Sequence, residues 1–217
     1  MEDFIHLHVH TQFSLLDGQA SIPKLIDKAM KDGMRGMAVT DHGNMMGIKD
    51  FFDISNKKNG PVKGQIKELK KKLKATDDEQ EKTSIQAEIV EAQKKLFIPI
   101  FGCEVYCARR TLYDKDRNAD VDKSGWHLIL LAKNEKGYHN LIKIVSKAWT
   151  EGFYHRPRTD KRELEKYHEG LIVCSACIGG EVPKKILAGK IEEAEESIKW
   201  FKNIWGDDYY LEIQRHK

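Results

Sequence analysis

The chain has 217 residues, 40% of them hydrophobic, which suits one sizeable globular domain and little more. No apolar run is long enough to span a bilayer, and Met1-Glu2-Asp3 lacks the basic-then-apolar order of a signal peptide, so a cytoplasmic protein with no membrane partner is expected. A net charge of +3 is too mild to announce a nucleic-acid clamp by itself.

Phe4 to His10 alternates as a strand does, with Ile5, Leu7 and Val9 on one face and Phe4, His6, His8 and His10 on the other. Histidines two apart on a strand point the same way, so His8 and His10 can reach one cation. Ser21 is placed to cap a helix with Pro23 in its first turn, Leu25, Ile26, Ala29 and Met30 as its stripe, and Gly33 at its end. Gly36 to Asp41 reads as the next strand. It delivers Asp41 and His42 at its C-terminal end, where parallel α/β architectures place their chemistry. With Asp17, the three histidines His8, His10 and His42 make a mixed nitrogen and oxygen shell suited to zinc, manganese or iron. His6 lies deeper in the strand and reads as structural. Asp41 points away from His42 and reads as a supporting partner.

From Pro61 to Leu96 the composition turns to lysine, glutamate and glutamine, and the apolar spacing predicts a helical hairpin inserted into the domain. Ile66, Leu69 and Leu73 stripe one arm; Ile85, Ile89, Ala92 and Leu96 stripe the other, with a Thr76/Glu79 capping box between them. The first arm is basic and the second mainly acidic, which reads as a solvated face rather than a DNA contact. Phe97 to Val105 is a buried-type strand carrying Glu104, and His127 precedes another at Leu128 to Ala132. The polar segment between them has no helical stripe, so an antiparallel return is expected, with His127 beside Glu104. A helix capped by Asn134 runs to about Trp149, and an aromatic and basic loop follows from Gly152 to Arg158. Gly170 to Cys174 reads as a strand leading to Cys177 and a Gly179-Gly180 turn. Helices from about Val182 and over Ile191 to Trp205 come next, and Tyr209 to Ile213 is the last strand.

Cys103, Cys107, Cys174 and Cys177 are expected as reduced thiols. A tetrathiolate zinc knuckle is disfavoured, because Cys103 and Glu104 face opposite sides of one strand. Arg109, Arg110, His155, Arg156 and Arg158 fall on loops that follow strands; the arginines are candidates for phosphate and Phe153 or Tyr154 for a stacked base. His139, His168 and His216 stand alone and receive no role.

Phe4-Ile5-His6-Leu7-His8-Val9-His10-Thr11 with Ser14-Leu15-Leu16-Asp17-Gly18, Val39-Thr40-Asp41-His42-Gly43, Gly102-Cys103-Glu104, His127-Leu128-Ile129-Leu130-Leu131-Ala132, Gly152-Phe153-Tyr154 with Pro157-Arg158, Gly170-Leu171-Ile172-Val173 and Gly180-Glu181-Val182 occur in this order. Together they resemble the polymerase and histidinol phosphatase (PHP) domain family, in the branch found in bacterial DNA polymerase III alpha subunits. The resemblance implies an α/β fold, a distorted TIM-like (β/α)7 barrel with up to three divalent cations, zinc or manganese, at its mouth. It implies His8, His10, Asp17, His42, Glu104, His127 and Cys177 as ligands, with Asp17, His42 and Glu104 at the catalytic centre. Glu104 is the bridging carboxylate, and Cys177 biases one position toward zinc. The family's final Asp-x-His pair has no match before Lys217. A PHP domain over residues 1–217 is therefore expected to be truncated before its last strand, with residues 61–96 as an insert. Fewer cations and little or no hydrolysis by this piece alone are expected.

The activity implied is 3′-5′ exonuclease proofreading within a DNA-directed DNA polymerase, acting on the primer 3′ end of DNA. The partners implied are the rest of the alpha subunit and other replisome subunits. Two alternatives stay open: a metal-binding brace for the polymerase, and a free phosphatase for a small phosphomonoester.

Overall fold

In a computed structural model, which describes residues 4–15 and 17–215, six strands form one mixed sheet. Leu16 of the expected Ser14 to Gly18 motif and His216 lie outside the described residues. The strands are β1 (Gly36–Val39), β2 (Ile98–Ala108), β3 (Gly125–Ala132), β4 (Arg158–Thr159), β5 (Leu171–Cys174) and β6 (Tyr209–Tyr210). They are ordered β1-β2-β3-β5-β6, with β4 also pairing with β2. The β1/β2, β2/β4 and β5/β6 pairs are parallel, while β3 runs antiparallel to both β2 and β5, which is the return expected before His127.

Among the described residues seven α-helices accompany the sheet: α1 (Ile22–Lys31), α2 (Ile48–Ala75), α3 (Glu79–Lys94), α4 (Glu135–Thr150), α5 (Lys161–Lys166), α6 (Glu181–Leu187) and α7 (Ile191–Trp205). No helix among the described residues is long and apolar enough to cross a membrane.

Strand alternation decides what each face holds. On β2 and β3, Cys103, Val105, Leu128 and Leu130 pack outward with Leu141, Ile144 and Phe201 of α4 and α7. The opposite face carries Ile129 and Leu131, which join Ala38, Cys174 and Ala176 in a smaller cluster. Glu104 is paired with Ile129 in the register and shares that inner face. Removing the apolar outer face from water supplies the driving force that permits a carboxylate on the inner one.

Several expectations are corrected. Residues 4–10 are extended but form no regular strand. Ala38 N–H donates to His6 O at 2.8 Å and Thr40 N–H to Val9 O at 2.9 Å, so acceptors three apart meet donors two apart. The surplus residue is taken up in a bend at His8, which breaks the ladder. The hairpin's first arm does not begin at Pro61. α2 runs continuously from Ile48, because buried Ile48, Phe51, Ser55 and Asn59 extend the stripe that reaches Ile66 and Leu69. The amide of Asn59 clamps this helix to the sheet by exchanging hydrogen bonds with Phe97 O at 2.8 Å and Phe97 N–H at 2.9 Å. The cap of α3 is Asp78 rather than Thr76, since its carboxylate accepts from Gln80 N–H at 2.8 Å; Thr76 bonds to Glu81 instead. Ser21 precedes α1 without a side-chain cap, and the last strand stops at Tyr210. α5, capped by Asp160, escaped the sequence reading because six residues with one buried apolar position carry no periodic signal.

Candidate metal centre

Glu104 is fully buried, and four imidazoles converge on it from three separate segments. His8 Nε2 lies 2.7 Å and His10 Nε2 3.1 Å from Glu104 Oε2. His127 Nδ1 lies against Oε1, and His42 Nδ1 is 3.6 Å from it. Around this carboxylate the remaining groups assemble. His42 Nε2 is 2.6 Å from Asp17 Oδ2, and Cys177 Sγ is 3.5 Å from His127 Nδ1. All seven residues expected as ligands therefore lie together, in three overlapping groups: His8, His10 and Glu104; His10, Asp17 and His42; Glu104, His127 and Cys177.

Local structure explains each placement. The β1/β2 ladder pairs Gly36 with Ile98 and Val39 with Phe101, and after a gap the same offset pairs His42 with Glu104. Gly43 N–H donates to Glu104 O at 2.8 Å, which holds that pair in line. A side chain at position 43 would press on Pro157 at 2.6 Å and would start from a φ of +61°, so only glycine fits. The loop bearing Asp17 is organised by buried Asp41. Its carboxylate accepts from Thr11 N–H at 2.6 Å, Thr11 Oγ1 at 2.8 Å and Ser14 Oγ at 2.6 Å. That is the supporting role expected for Asp41, and Thr11 and Ser14 are the partners the sequence did not reveal. On the far side, Ala176 adopts a φ of +62°, an uncommon left-handed turn for a residue with a Cβ, immediately before Cys177. His127 N–H donates to Gly179 O at 3.0 Å, and a Cβ at 179 would lie 2.9 Å from the imidazole, so a glycine is needed beneath that ring.

Protonation follows from these contacts. Burial works against a charged His8, but the hydrogen bonds and charges of Glu104 and Glu212 outweigh it and raise its pKa to about 10. Burial likewise opposes the His127 cation, yet Cys177 and Glu104 lift it to about 9. Glu104 raises His42 against a burial cost, and Asp17 adds to the effect. Burial alone would raise the Glu104 carboxyl; its histidine partners instead hold it far below the usual range. The hydrogen bond to His127 lowers the Cys177 thiol, and His42 lowers Asp17.

This donor set fits divalent cations. Glu104 Oε1 and His42 Nδ1 are buried without an aligned hydrogen-bond partner, and His8 Nε2 faces His10 Nε2 at 3.2 Å. Cations would satisfy the first pair and separate the second, and imidazole, carboxylate and thiolate together suit zinc or manganese. Glu212, which the sequence reading passed over, accepts from His8 Nδ1 at 2.7 Å and so directs Nε2 toward the cluster. Its only signal was an acidic residue within the expected last strand, Tyr209 to Ile213.

The other cysteines take no part. Cys103, Cys107 and Cys174 are buried free thiols, with burial pushing the last two to about 12. Two arginines expected at phosphate are also placed elsewhere. Arg158 is fully buried, and its guanidinium donates to the carbonyls of Gly152, Asp122, Leu112 and Asp114 at 2.7 to 3.1 Å. It is a strut that ties the β2–β3 connection to the Gly152 loop, buried away from any ligand. Arg110 is held by both oxygens of buried Asp122. Arg109 is exposed over Trp126 at 4.1 Å, and Arg156 is exposed over Tyr106 at 5.7 Å.

The PHP domain family model matches residues 6–216. The chain belongs to the PHP domain family. Among the relatives of this PHP domain are DNA polymerase III alpha subunits from Borreliella burgdorferi, 45% identical over 213 residues, Aquifex aeolicus, 38% over 217, and Treponema pallidum, 36% over 214. Each comparison covers 98% of this chain but only 15 to 16% of the relative, so the chain spans about a sixth of those proteins' length.

Proposed function

We propose that this PHP domain is a metal-dependent phosphoesterase acting on DNA, within a DNA polymerase III alpha subunit whose polymerising centre lies elsewhere in that protein. The observation that carries the reading is the buried Glu104 with its four imidazoles, Asp17 and Cys177, a donor set that overlaps in three groups. The relatives' names support the polymerase setting and, with it, DNA and other replisome subunits as partners. The mixed sheet with a parallel majority is compatible with a distorted barrel, and α2 with α3 is compatible with an inserted hairpin over residues 61–96.

In this proposal His8, His10 and Glu104 would hold one divalent cation, His10, Asp17 and His42 a second, and Glu104, His127 and Cys177 a third. Bound there, the cations supply Lewis acidity for phosphoryl and leaving oxygens and lower the pKa of the attacking water. The residues themselves do the positioning. Glu104 offers oxygens to two sides of the cluster, and Glu212 fixes which nitrogen of His8 faces inward. Asp17 is the most exposed of the seven, placing a carboxylate where substrate enters. In the DNA setting the reaction is removal of a 3′-terminal nucleotide.

The test uses an alpha subunit carrying this domain, manganese or zinc, and a 5′-labelled single-stranded oligonucleotide beside p-nitrophenyl phosphate. Metal-dependent shortening that Asp17→Asn abolishes at an unchanged melting temperature supports the reading. Turnover of p-nitrophenyl phosphate alone overturns the DNA assignment, and metal binding with no turnover of either overturns catalysis in favour of a brace.

A further inference from the structure

The segment that leaves α4 and returns through β4 carries exposed chemistry that the metal cluster does not account for. Trp149 and Phe153 stack at 5.5 Å with 22° between their planes, although they are 43% and 46% exposed. Trp149 is pinned by its indole N–H, which donates to Gly43 O at 2.7 Å. Gly43 directly follows His42, so the stacked pair is anchored one residue from a proposed ligand. Three residues beyond Phe153, the exposed Arg156 guanidinium lies 5.7 Å over the ring of Tyr106. Tyr106 in turn stacks on His42 at 6.2 Å and meets His127 edge-on at 5.2 Å. Among the described residues Arg156 makes no ion pair. The turn between them is held in a costly shape: His155 has a φ of +57°, and Tyr154 N–H donates to Arg156 O at 3.0 Å. Arg158, tied to four carbonyls beneath, keeps the whole segment in place.

Two aromatic side chains with nearly half their surface in water carry a hydration cost that a partner can recover. An exposed guanidinium without an ion-pair partner, near the cluster of candidate ligands, offers a fork to phosphate. One ligand satisfies both: a nucleotide, with a π face for the rings and an anionic backbone for the arginine. We propose that Trp149 and Phe153 form a base-stacking platform, and Arg156 a phosphate contact, for the end of a single-stranded nucleic acid whose terminal phosphodiester reaches the cluster. This rests on the phosphoesterase reading and narrows its substrate, since a small phosphomonoester without a base would gain nothing from the rings. A duplex end is disfavoured for the same reason, because its bases are already stacked.

The platform is tested on the 217-residue chain with manganese. The probes are a 5′-fluorescent thymidine oligonucleotide with a 3′-terminal phosphorothioate linkage, and the same strand ending in an abasic residue, both read by anisotropy. The base-bearing strand is expected to bind about tenfold more tightly, a typical effect of one stacked base. Phe153→Ala removes that difference while bound manganese, counted by mass spectrometry, stays unchanged. Phe153→Leu preserves apolar bulk and loses the difference too; its survival in either variant overturns stacking. Arg156→Gln weakens both strands alike and lowers the salt dependence by about one counterion; an unchanged salt dependence overturns the phosphate contact. Absent discrimination in the unaltered chain with manganese bound, alongside metal-dependent shortening of DNA by an alpha subunit carrying this domain, overturns the platform and leaves the phosphoesterase reading standing. Discrimination by this chain, with no metal-dependent hydrolysis of DNA or p-nitrophenyl phosphate by an alpha subunit carrying this domain, supports the platform and overturns that reading instead.

Discussion

Two regions of this molecule are rich in charge and use it in opposite ways. In the α2/α3 pair, ion pairs such as Lys71 with Glu68 and Lys94 with Glu91 are solvent-exposed, and stability comes from Ile66, Leu69, Ile85, Ile89 and Ala92 buried between the helices. Around buried Glu104 the half-buried histidines are linked through one carboxylate, so each depends on the others. Exposed charges are therefore replaceable one by one, while the buried ones stand or fall as a set.

The largest expected effect sharpens that contrast. Glu104→Gln removes the buried anion on which four imidazoles converge, and is expected to cost about 3 to 5 kcal/mol of stability and most metal binding. Thermal melts with calorimetric metal titration check it. If Glu104→Gln melts like the unaltered protein, the histidines are held by the fold and not by the carboxylate. Next is Ile85→Ala, expected to cost about 2 to 4 kcal/mol through a cavity between α2 and α3. Hydrogen exchange should show the loss confined to that pair, with metal stoichiometry unchanged; a fall in metal binding would break the separation of the two regions.

The third effect is spread over several pH units and so is the smallest per unit. His8 is raised from 6.5 to about 10 and His127 to about 9. Their contribution to the metal-free fold is complete below pH 6.5 and is lost as pH rises through 9 and 10. The depressed Glu104 contributes above its unfolded value of 4.5 and is lost in acid. Metal-free stability should thus fall on the alkaline side, where metal affinity rises because binding releases those protons. Denaturant titrations with chelator and with manganese across pH 6 to 10 measure both slopes, and parallel slopes would break the linkage.

Legibility in the sequence tracks the same division. His8, His10, Asp17 and His42 were readable from spacing alone, and the resemblance supplied Glu104, His127 and Cys177; the structure brings all seven together. The antiparallel return before His127 was readable because Arg109 to Ser124 lacks any apolar period. What was not legible depends on partners distant in the chain. The bend at His8 arises from a mismatch with β1, and Glu212 is set by contact with a residue near the opposite end of the chain. Arg158 looked like a phosphate ligand because its side chain is the same whether it meets a ligand or four carbonyls; only burial separates the two. The start of α2 was misplaced because Pro61 read as a boundary, yet buried Ser55 and Asn59 carry the helix through it.

The constant offset that pairs Gly36 with Ile98 and His42 with Glu104 has one more consequence. A slip of one residue between β1 and β2 would turn Glu104 to the outer, apolar side and present Cys103 or Val105 in its place. No such mispaired chain could gather four imidazoles around a carboxylate. The register therefore makes the site: the β1/β2 ladder, built from residues that ligate nothing, is what sets Glu104 opposite His42.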